Sequence, residues 1–361
     1  MKIAIEKGST KSGHAIRGVG FYTKNLIHAL GNKVDPIDTK SADLSKYDLI
    51  HIPHFDPFID TFPKNIESGK YMVTIHDLIP LLYPKNYPPG LKGKLRYMNQ
   101  KRKAKNAQAI ITDSETSKKD IVRFLQIDPN KIHVVYLAAQ SGMKKLSKQN
   151  LIEIKKKYNL PEKFVLYIGD INYNKNIPNL VKACKFANLK LVIVGKQAME
   201  LENLGQDLKL IKGPKDWVRF VFGIPHPQLA HYKEVLDLVE NNHDVLRLGF
   251  VPVEDLSGIA QLASVYCQPS LYEGFGLPLL EAFSMDLPVV ASHTQVLVEI
   301  GADACLYADP YDYKDMGEKL KSVIEDKALK NNLIKKGKER LKNFSWIKTA
   351  QETYSIYEKT L

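Results

Sequence analysis

Ser270-Leu-Tyr-Glu-Gly-Phe-Gly-Leu-Pro-Leu-Leu-Glu-Ala-Phe283 lies between two short apolar runs, Ser264-Val-Tyr-Cys267 and Pro288-Val-Val-Ala291. The runs read as strands. Between them, Glu273-Gly274-Phe275-Gly276-Leu277 reads as the loop feeding a helix N-terminus, with Pro278 at the first helical position, where its missing N–H costs nothing. Strand, glycine loop, helix and strand make a βαβ unit, which decides for a parallel α/β fold. The loop also carries chemistry. Backbone N–H groups at a helix start attract anions, and Gly274 and Gly276 let the backbone approach a ligand closely. Glu273 and Glu281 accept hydrogen bonds from hydroxyls at two separated points. A polyol attached to a diphosphate fits that arrangement. Leu277, Leu279, Leu280, Ala282 and Phe283 surround Glu281 with apolar neighbours, and a carboxylate so placed needs a partner. The plainer alternative is a tight turn with Glu281 at the surface.

The same alternation runs along the chain. Ile3-Ala-Ile5, Leu49-Ile-His-Ile52, Tyr71-Met-Val-Thr-Ile75, Ala109-Ile-Ile-Thr112 and His133-Val-Val-Tyr136 read as strands of a first series. Phe164-Val-Leu-Tyr-Ile-Gly169, Leu191-Val-Ile-Val-Gly195 and Val245-Leu-Arg-Leu-Gly-Phe250 join the two runs above in a second. At 361 residues the chain exceeds the size at which single cores stop growing, so two doubly wound domains are expected. The break is placed near 160: residues 1–160, residues 161–345, and a serine-capped closing helix over 346–361. Residues 197–244 are long for one connection and read as an insertion.

Composition narrows the function. Hydrophobic residues at 44% and charged residues at 25% describe a soluble globular chain. No apolar run approaches a membrane span and the start reads as a strand rather than a signal peptide, so the cytoplasm is expected. Cys184, Cys267 and Cys305 sit apart in apolar segments and read as buried free thiols. Net charge is +12, and residues 1–160 carry 28 Lys and Arg against 14 Asp and Glu. One dense cluster, Lys92, Lys94, Arg96, Lys101, Arg102, Lys103 and Lys105 interleaved with Leu91, Leu95, Tyr97 and Met98, reads either as a solvated helix face or as a surface for an anionic membrane. Charge alone also admits a nucleic-acid binder, which no recognition motif supports, so no nucleic-acid partner is expected.

The string from Glu273 to Glu281 resembles the E-x7-E signature of the retaining glycosyltransferases of family 4, especially a mannosyltransferase-like subset. That resemblance implies the GT-B fold, two Rossmann-like domains with parallel sheets facing a central cleft. It implies that Glu273 contacts the donor sugar near the reaction centre, that Gly274, Phe275, Gly276 and Leu277 present amides to sugar and diphosphate, and that Glu281 holds the nucleotide ribose. The closing helix would cross back to brace the first domain.

Other motifs fit the same reading. Gly18-Val-Gly20 precedes an amphipathic stretch. It lacks a third glycine and stands too far from the first strand for a dinucleotide fingerprint, so NAD is not expected. The resemblance gives Gly18 and Gly20 to the diphosphate. His76-Asp77-Leu-Ile-Pro80 ends a strand; His76 is expected on a donor-sugar hydroxyl, with Asp77 orienting its ring. Lys175, in Asn172-Tyr-Asn-Lys-Asn176, matches by spacing the family's phosphate lysine, and would offset charge on a leaving diphosphate. Asp170 stands where many relatives have arginine, leaving Arg17, Lys196 and Arg219 as substitutes. Gly249-Phe-Val-Pro252 resembles the segment meeting the nucleobase through its backbone, with Val251 at its centre.

The expected activity is retaining transfer of a hexose, mannose from GDP-mannose being favoured, to a saccharide or lipid-linked acceptor in polysaccharide synthesis. Glu273, His76 and Lys175 are the catalytic candidates. No cofactor is expected, and no DxD-type cluster calls for a metal. A nucleotide-sugar epimerase of similar shape is the alternative. Glu273→Gln and Lys175→Ala are expected to cut turnover without lowering the melting temperature.

Overall fold

The computed structural model describes residues 1–8, 18–63, 66–67, 69–140, 142–201, 218 and 227–361. Contacts divide the chain into two units, Met1–Ala138 with Phe344–Leu361, and Ala139–Asn343. Among the described residues each unit is built on one six-stranded sheet, parallel throughout.

The first sheet has the order β2-β1-β3-β4-β5-β6. Its strands are β1 (Ile3–Glu6), β2 (Asp35–Ile37), β3 (Leu49–Ile52), β4 (Tyr71–Thr74), β5 (Ile110–Thr112) and β6 (Ile132–Val134). Every residue of β3, β4 and β5 is buried. Strands covered on both faces read as unbroken apolar runs, which makes them legible in sequence. β2 falls outside the expected strands. Two of its three residues are exposed and one is Pro36, which lacks a ladder donor and is tolerated at the sheet edge that β2 occupies.

The closing helix Trp346–Thr360 belongs to this first unit. Ser345 caps it, its Oγ accepting from Lys348 N at 3.2 Å, and Thr349 Oγ1 donates to the Tyr136 carbonyl at 2.7 Å. The fully buried Tyr357 meets His51 Nδ1 at 2.7 Å, and His51 Nε2 meets Thr74 Oγ1, also at 2.7 Å. Thr74 Oγ1 in turn lies 3.0 Å from Tyr22 OH, so one chain of hydrogen bonds ties the closing helix to β3, β4 and the helix Gly18–Leu30. Burial, with the His76 charge nearby, pushes the His51 imidazole down to about 3, and it is held neutral. The unfolded chain therefore takes up a proton below pH ~6.5 that the folded unit refuses, and stability is lost as pH falls from there toward 3. Between pH 7 and pH 5 His51 by itself is expected to contribute a loss of roughly 2 kcal/mol. Urea titrations at both pH values check it as a difference: His51→Gln should be weaker at pH 7, and its stability change from pH 7 to pH 5 should be more favourable than the wild type's by about that amount.

The second sheet has the order β12-β11-β10-β7-β8-β9. Its strands are β7 (Val165–Ile168), β8 (Leu191–Val194), β9 (Val245–Leu248), β10 (Val265–Gln268), β11 (Val289–Ser292) and β12 (Cys305–Ala308). β12, Cys-Leu-Tyr-Ala, has no β-branched residue and gives no strand signal. β7 and β10 are neighbours although β8 and β9 lie between them in the chain, so the strand order reverses there. Ligands in such sheets bind outside the carboxyl ends of the strands at that reversal. The ends of β7 and β8 approach so closely that a Cβ on Gly195 would stand 2.1 Å from the Gly169 carbonyl oxygen, a position only glycine can fill.

The division at Ala138–Ala139 lies earlier than the expected break near 160. The helix Lys148–Lys157 explains this, because it packs on the helix Val253–Leu262 of the second unit. A Cβ on Gly258 would touch Ile154 at 3.0 Å, and Lys157 Nζ and Tyr158 OH both reach Asp255 Oδ2 at 2.6 Å. Half of the 197–244 segment, residues 202–217 and 219–226, lies outside the described residues; its last part holds the helix Pro227–Val239. Cys184, Cys267 and Cys305 are free and buried.

Candidate active site

Two loops leave the carboxyl ends of β7 and β10, and their backbones are stitched together. Leu271 N donates to the Asn174 carbonyl at 2.8 Å, and Asn174 Nδ2 donates to the Tyr272 carbonyl at 3.1 Å. Asn176, in the left-handed conformation at φ 57°, spans from its Nδ2 to the carbonyls of Pro269 (3.0 Å) and Pro310 (2.7 Å). Asparagine tolerates that conformation better than most side chains. Held this way, Lys175 Nζ lies 2.8 Å from both Oε1 and Oε2 of Glu273.

Glu273 is only 7% exposed. Its Oε1 also accepts from Gln268 Nε2 and from Ser270 Oγ, each at 2.6 Å, and Tyr266 OH in turn bonds Gln268. A buried charge pair is tolerated only with such extra hydrogen bonds. The sharing is uneven. Among the described residues Oε1 carries three bonds and Oε2 only the lysine's, while the ammonium donates twice, both times to Glu273. The pair thus retains an acceptor and a donor side by side.

Gly276 opens the helix Leu277–Ser284 with φ +99° and no side-chain cap; there an added Cβ would also press Leu297 at 3.0 Å. Leu277 takes the first helical position and Pro278 the second, one later than expected, which still spares a ladder bond. Glu281 stands further along this helix, 8% exposed, with no hydrogen bond to its carboxylate among the described residues. Burial alone pushes its carboxyl up to about 7. The two glutamates of the string are therefore in opposite states, one held by a lysine and two further donors, the other lacking a donor among the described residues. Val251 is buried between β9 and the helix Val253–Leu262, beside the exposed Phe250.

The Asp170 carbonyl accepts from Tyr167 OH at 2.5 Å. Lys196 pairs with Glu200 at 3.6 Å on the surface, and Arg17 and Arg219 lie outside the described residues.

In the first unit, His76 stands two residues past the end of β4. Its Nδ1 lies 2.6 Å from Asp113 Oδ2 and its Nε2 3.2 Å from the Pro53 carbonyl, while Tyr22 stacks edge-on at 4.7 Å between ring centroids. Both ring nitrogens face acceptors, an arrangement that favours the doubly protonated imidazole, although burial also pushes the Asp113 carboxyl up. Burial opposes that charge, but the Asp113 carboxylate and its hydrogen bond, helped by Asp77 and the Pro53 carbonyl, hold the imidazole above its ordinary range. A sugar hydroxyl would have to displace Pro53 from Nε2, the longer of the two bonds. Asp77 Oδ1 accepts from Ile79 N at 3.0 Å, just ahead of the helix Ile79–Leu82. Gly18 is exposed at the start of the helix Gly18–Leu30 and Gly20 is buried in it; a Cβ on Gly18 would meet nothing within 4 Å, so packing does not demand glycine there.

Asp113 is absent from the residues that sequence reasoning singles out. A signal exists: Thr112-Asp-Ser-Glu115 follows a strand and opens a helix capped by Ser114, in the manner of His76-Asp77 after β4.

Residues 149–340 match the family described as Glycosyl transferases group 1, and residues 35–139 the one described as Glycosyltransferase Family 4. The chain belongs to the group 1 glycosyltransferases. O-antigen chain mannosyltransferase B of Escherichia coli is 28% identical over 320 residues, covering 86% of this glycosyltransferase and 74% of its own length. The serotype-specific mannosyltransferase WbdA of the same species is 25% identical over 304 residues, 82% of this chain and 34% of its own, so this glycosyltransferase spans about a third of it. Among solved structures, HepE of Anabaena in complex with UDP and glucose superposes with a TM-score of 0.69 at 14% identity over 99% of both chains. Sucrose-phosphate synthase of Thermosynechococcus elongatus gives 0.65 at 20% identity, over 99% of this chain and 98% of that one. At such identities the likeness is one of fold, here GT-B.

Proposed function

We propose that this glycosyltransferase moves a hexose, with mannose favoured, from a nucleoside diphosphate sugar to a saccharide or lipid-linked saccharide, retaining the configuration of the anomeric carbon. The observation that carries the proposal is the Lys175–Glu273 pair at the β7–β10 reversal, with one Oε2 lone pair and one ammonium N–H left over among the described residues. The free Oε2 lone pair suits a sugar hydroxyl and the remaining N–H suits a phosphate oxygen. The uncapped helix start at Gly276 adds backbone donors beside them. As the bond from the anomeric carbon to the diphosphate oxygen breaks, its electron pair passes to that oxygen and Lys175 offsets the charge. The acceptor hydroxyl attacks from the face the diphosphate leaves and gives its proton to it, so no protein nucleophile is required. Mannose and polysaccharide assembly are supported by the O-antigen mannosyltransferases among the relatives; GDP as the carrier rests on the resemblance of the motifs alone.

The test is nucleoside diphosphate release across a panel of nucleotide sugars, with and without a saccharide acceptor. Acceptor-stimulated release from GDP-mannose and a product with the donor's anomeric configuration are expected. Failure to consume any nucleotide sugar removes the proposal; an inverted product removes its stereochemistry.

Glu281 is assigned to the ribose hydroxyls. Hydroxyl donors favour the ionised carboxylate, whereas burial raises its pKa to about 7 in the free protein, so nucleotide binding competes with a proton. Affinity should rise with pH up to about 7 and level off above it. Without nucleotide the sign reverses. The folded protein holds this proton between pH ~4.5 and 7 and the unfolded chain does not, so stability falls as pH rises through that window. Calorimetry on Glu281→Ala should show affinity reduced roughly 10- to 100-fold at pH 7 and nearly independent of pH. An unchanged affinity would reassign Glu281 to structure.

A further inference from the structure

The helix Gly90–Lys105 buries Gly93, Gln100 and Ala104 and turns its opposite side to solvent. On that outer side Leu91, Leu95 and Met98 are 70%, 75% and 67% exposed. Their i, i+4, i+7 spacing places them in one stripe, where a solvated helix carries polar residues. Lys92, Lys94 and Lys105 are exposed around the stripe with no ion pair among the described residues. Arg102 is also exposed and donates only to Asn99 Oδ1, at 3.2 Å. The other basic side chains are engaged: Arg96 with Asp60 at 3.5 Å, Lys101 with the Phe124 carbonyl at 2.9 Å, and Lys103 with the Pro63 carbonyl at 3.3 Å. No acidic residue occurs in the helix.

We propose that this face docks on an anionic lipid leaflet, the apolar stripe entering the acyl boundary while the lysines meet headgroup phosphates. The charge pattern selects this occupant. A nucleic acid would use the lysines but leave Leu91, Leu95 and Met98 in water. A second copy of the helix would set lysine against lysine with no carboxylate to answer it. The inference is independent of the donor-site reading.

Vesicle flotation of the full chain tests it, using phosphatidylcholine alone and phosphatidylcholine mixed with phosphatidylglycerol. Binding is expected only to the mixed vesicles, weakening as salt is added. K92Q/K94Q/K105Q should lower partition roughly 100-fold, each lysine contributing about fivefold near an anionic leaflet. L91S/L95S/M98S should lower it by at least ~10-fold, and both variants should keep wild-type melting because the altered side chains are exposed. Equal flotation with both lipids, flotation with neither, or variants that bind mixed vesicles like wild type would overturn the proposal. So would self-association of the wild type that the apolar variant abolishes while flotation is unchanged.

Discussion

Lys175→Ala should lower transfer by roughly 10²- to 10³-fold, the scale for removing one preorganised donor at a site of developing charge. It should also lower the melting temperature, contrary to the expectation drawn from residue type alone. The substitution leaves the Glu273 carboxylate buried with only Gln268 and Ser270 to answer it. Removing one partner of a buried pair costs about 3–5 kcal/mol. Lys175 is 21% exposed, so water relieves part of this, and roughly 2 kcal/mol or 4–8 °C is expected for a unit of this size. Glu273→Gln should be equally slow and less destabilised, because its carboxamide oxygen can still accept from Ser270 and the orphaned lysine can turn to solvent. The double variant K175A/E273Q separates the two roles. Its melting should recover most of the K175A loss while its activity stays at the floor, a non-additivity that scanning calorimetry and turnover measure together. Near-normal rates in the single variants would remove both residues from the site; additive melting losses would dissolve the pair.

The second large effect is expected at Asp113. Asp113→Asn keeps a side chain of the same shape but takes away the carboxylate that holds the His76 imidazole above its ordinary range. The buried imidazole then becomes neutral, keeping its Nε2 proton for the Pro53 carbonyl and accepting at Nδ1 from the amide that replaces the carboxylate. If His76 stabilises charge during transfer, turnover should fall on the order of 10²-fold with KM little changed. The discriminating readout is the pH–rate profile. In the wild type the rate should decline as pH rises through the elevated His76 pKa, and in D113N that limb should move to lower pH. Asp113→Glu should restore part of the rate if position matters, and His76→Gln should lack the limb. Superimposable profiles for wild type and D113N would make Asp113 a structural residue only.

Much of this molecule is legible in its residues, and the limits are physical. Strands buried on both faces announce themselves as apolar runs; β2, a three-residue edge strand containing Pro36, and β12, without a β-branched residue, do not. The loop and helix from Glu273 to Glu281 are legible because glycine and proline constrain backbone locally. Asp113 escapes because its meaning lies in His76, 37 residues away on the neighbouring strand.

The residues alone determined the α/β alternation, the two series of strands and the glycine loop with its helix, since each depends on local backbone preference or hydrophobic period, and they singled out the two glutamates as candidates. Tertiary structure alone decided the state of those groups. Lys175 and Glu273 are 98 residues apart and meet because β7 pairs with β10 across two intervening strands, a strand order that no local pattern encodes. The same packing gave Glu273 three donor side chains and, among the described residues, left Glu281 with none. Desolvation and hydrogen bonding depend on what long-range folding brings alongside a side chain, and two identical glutamates eight positions apart end as opposites for that reason.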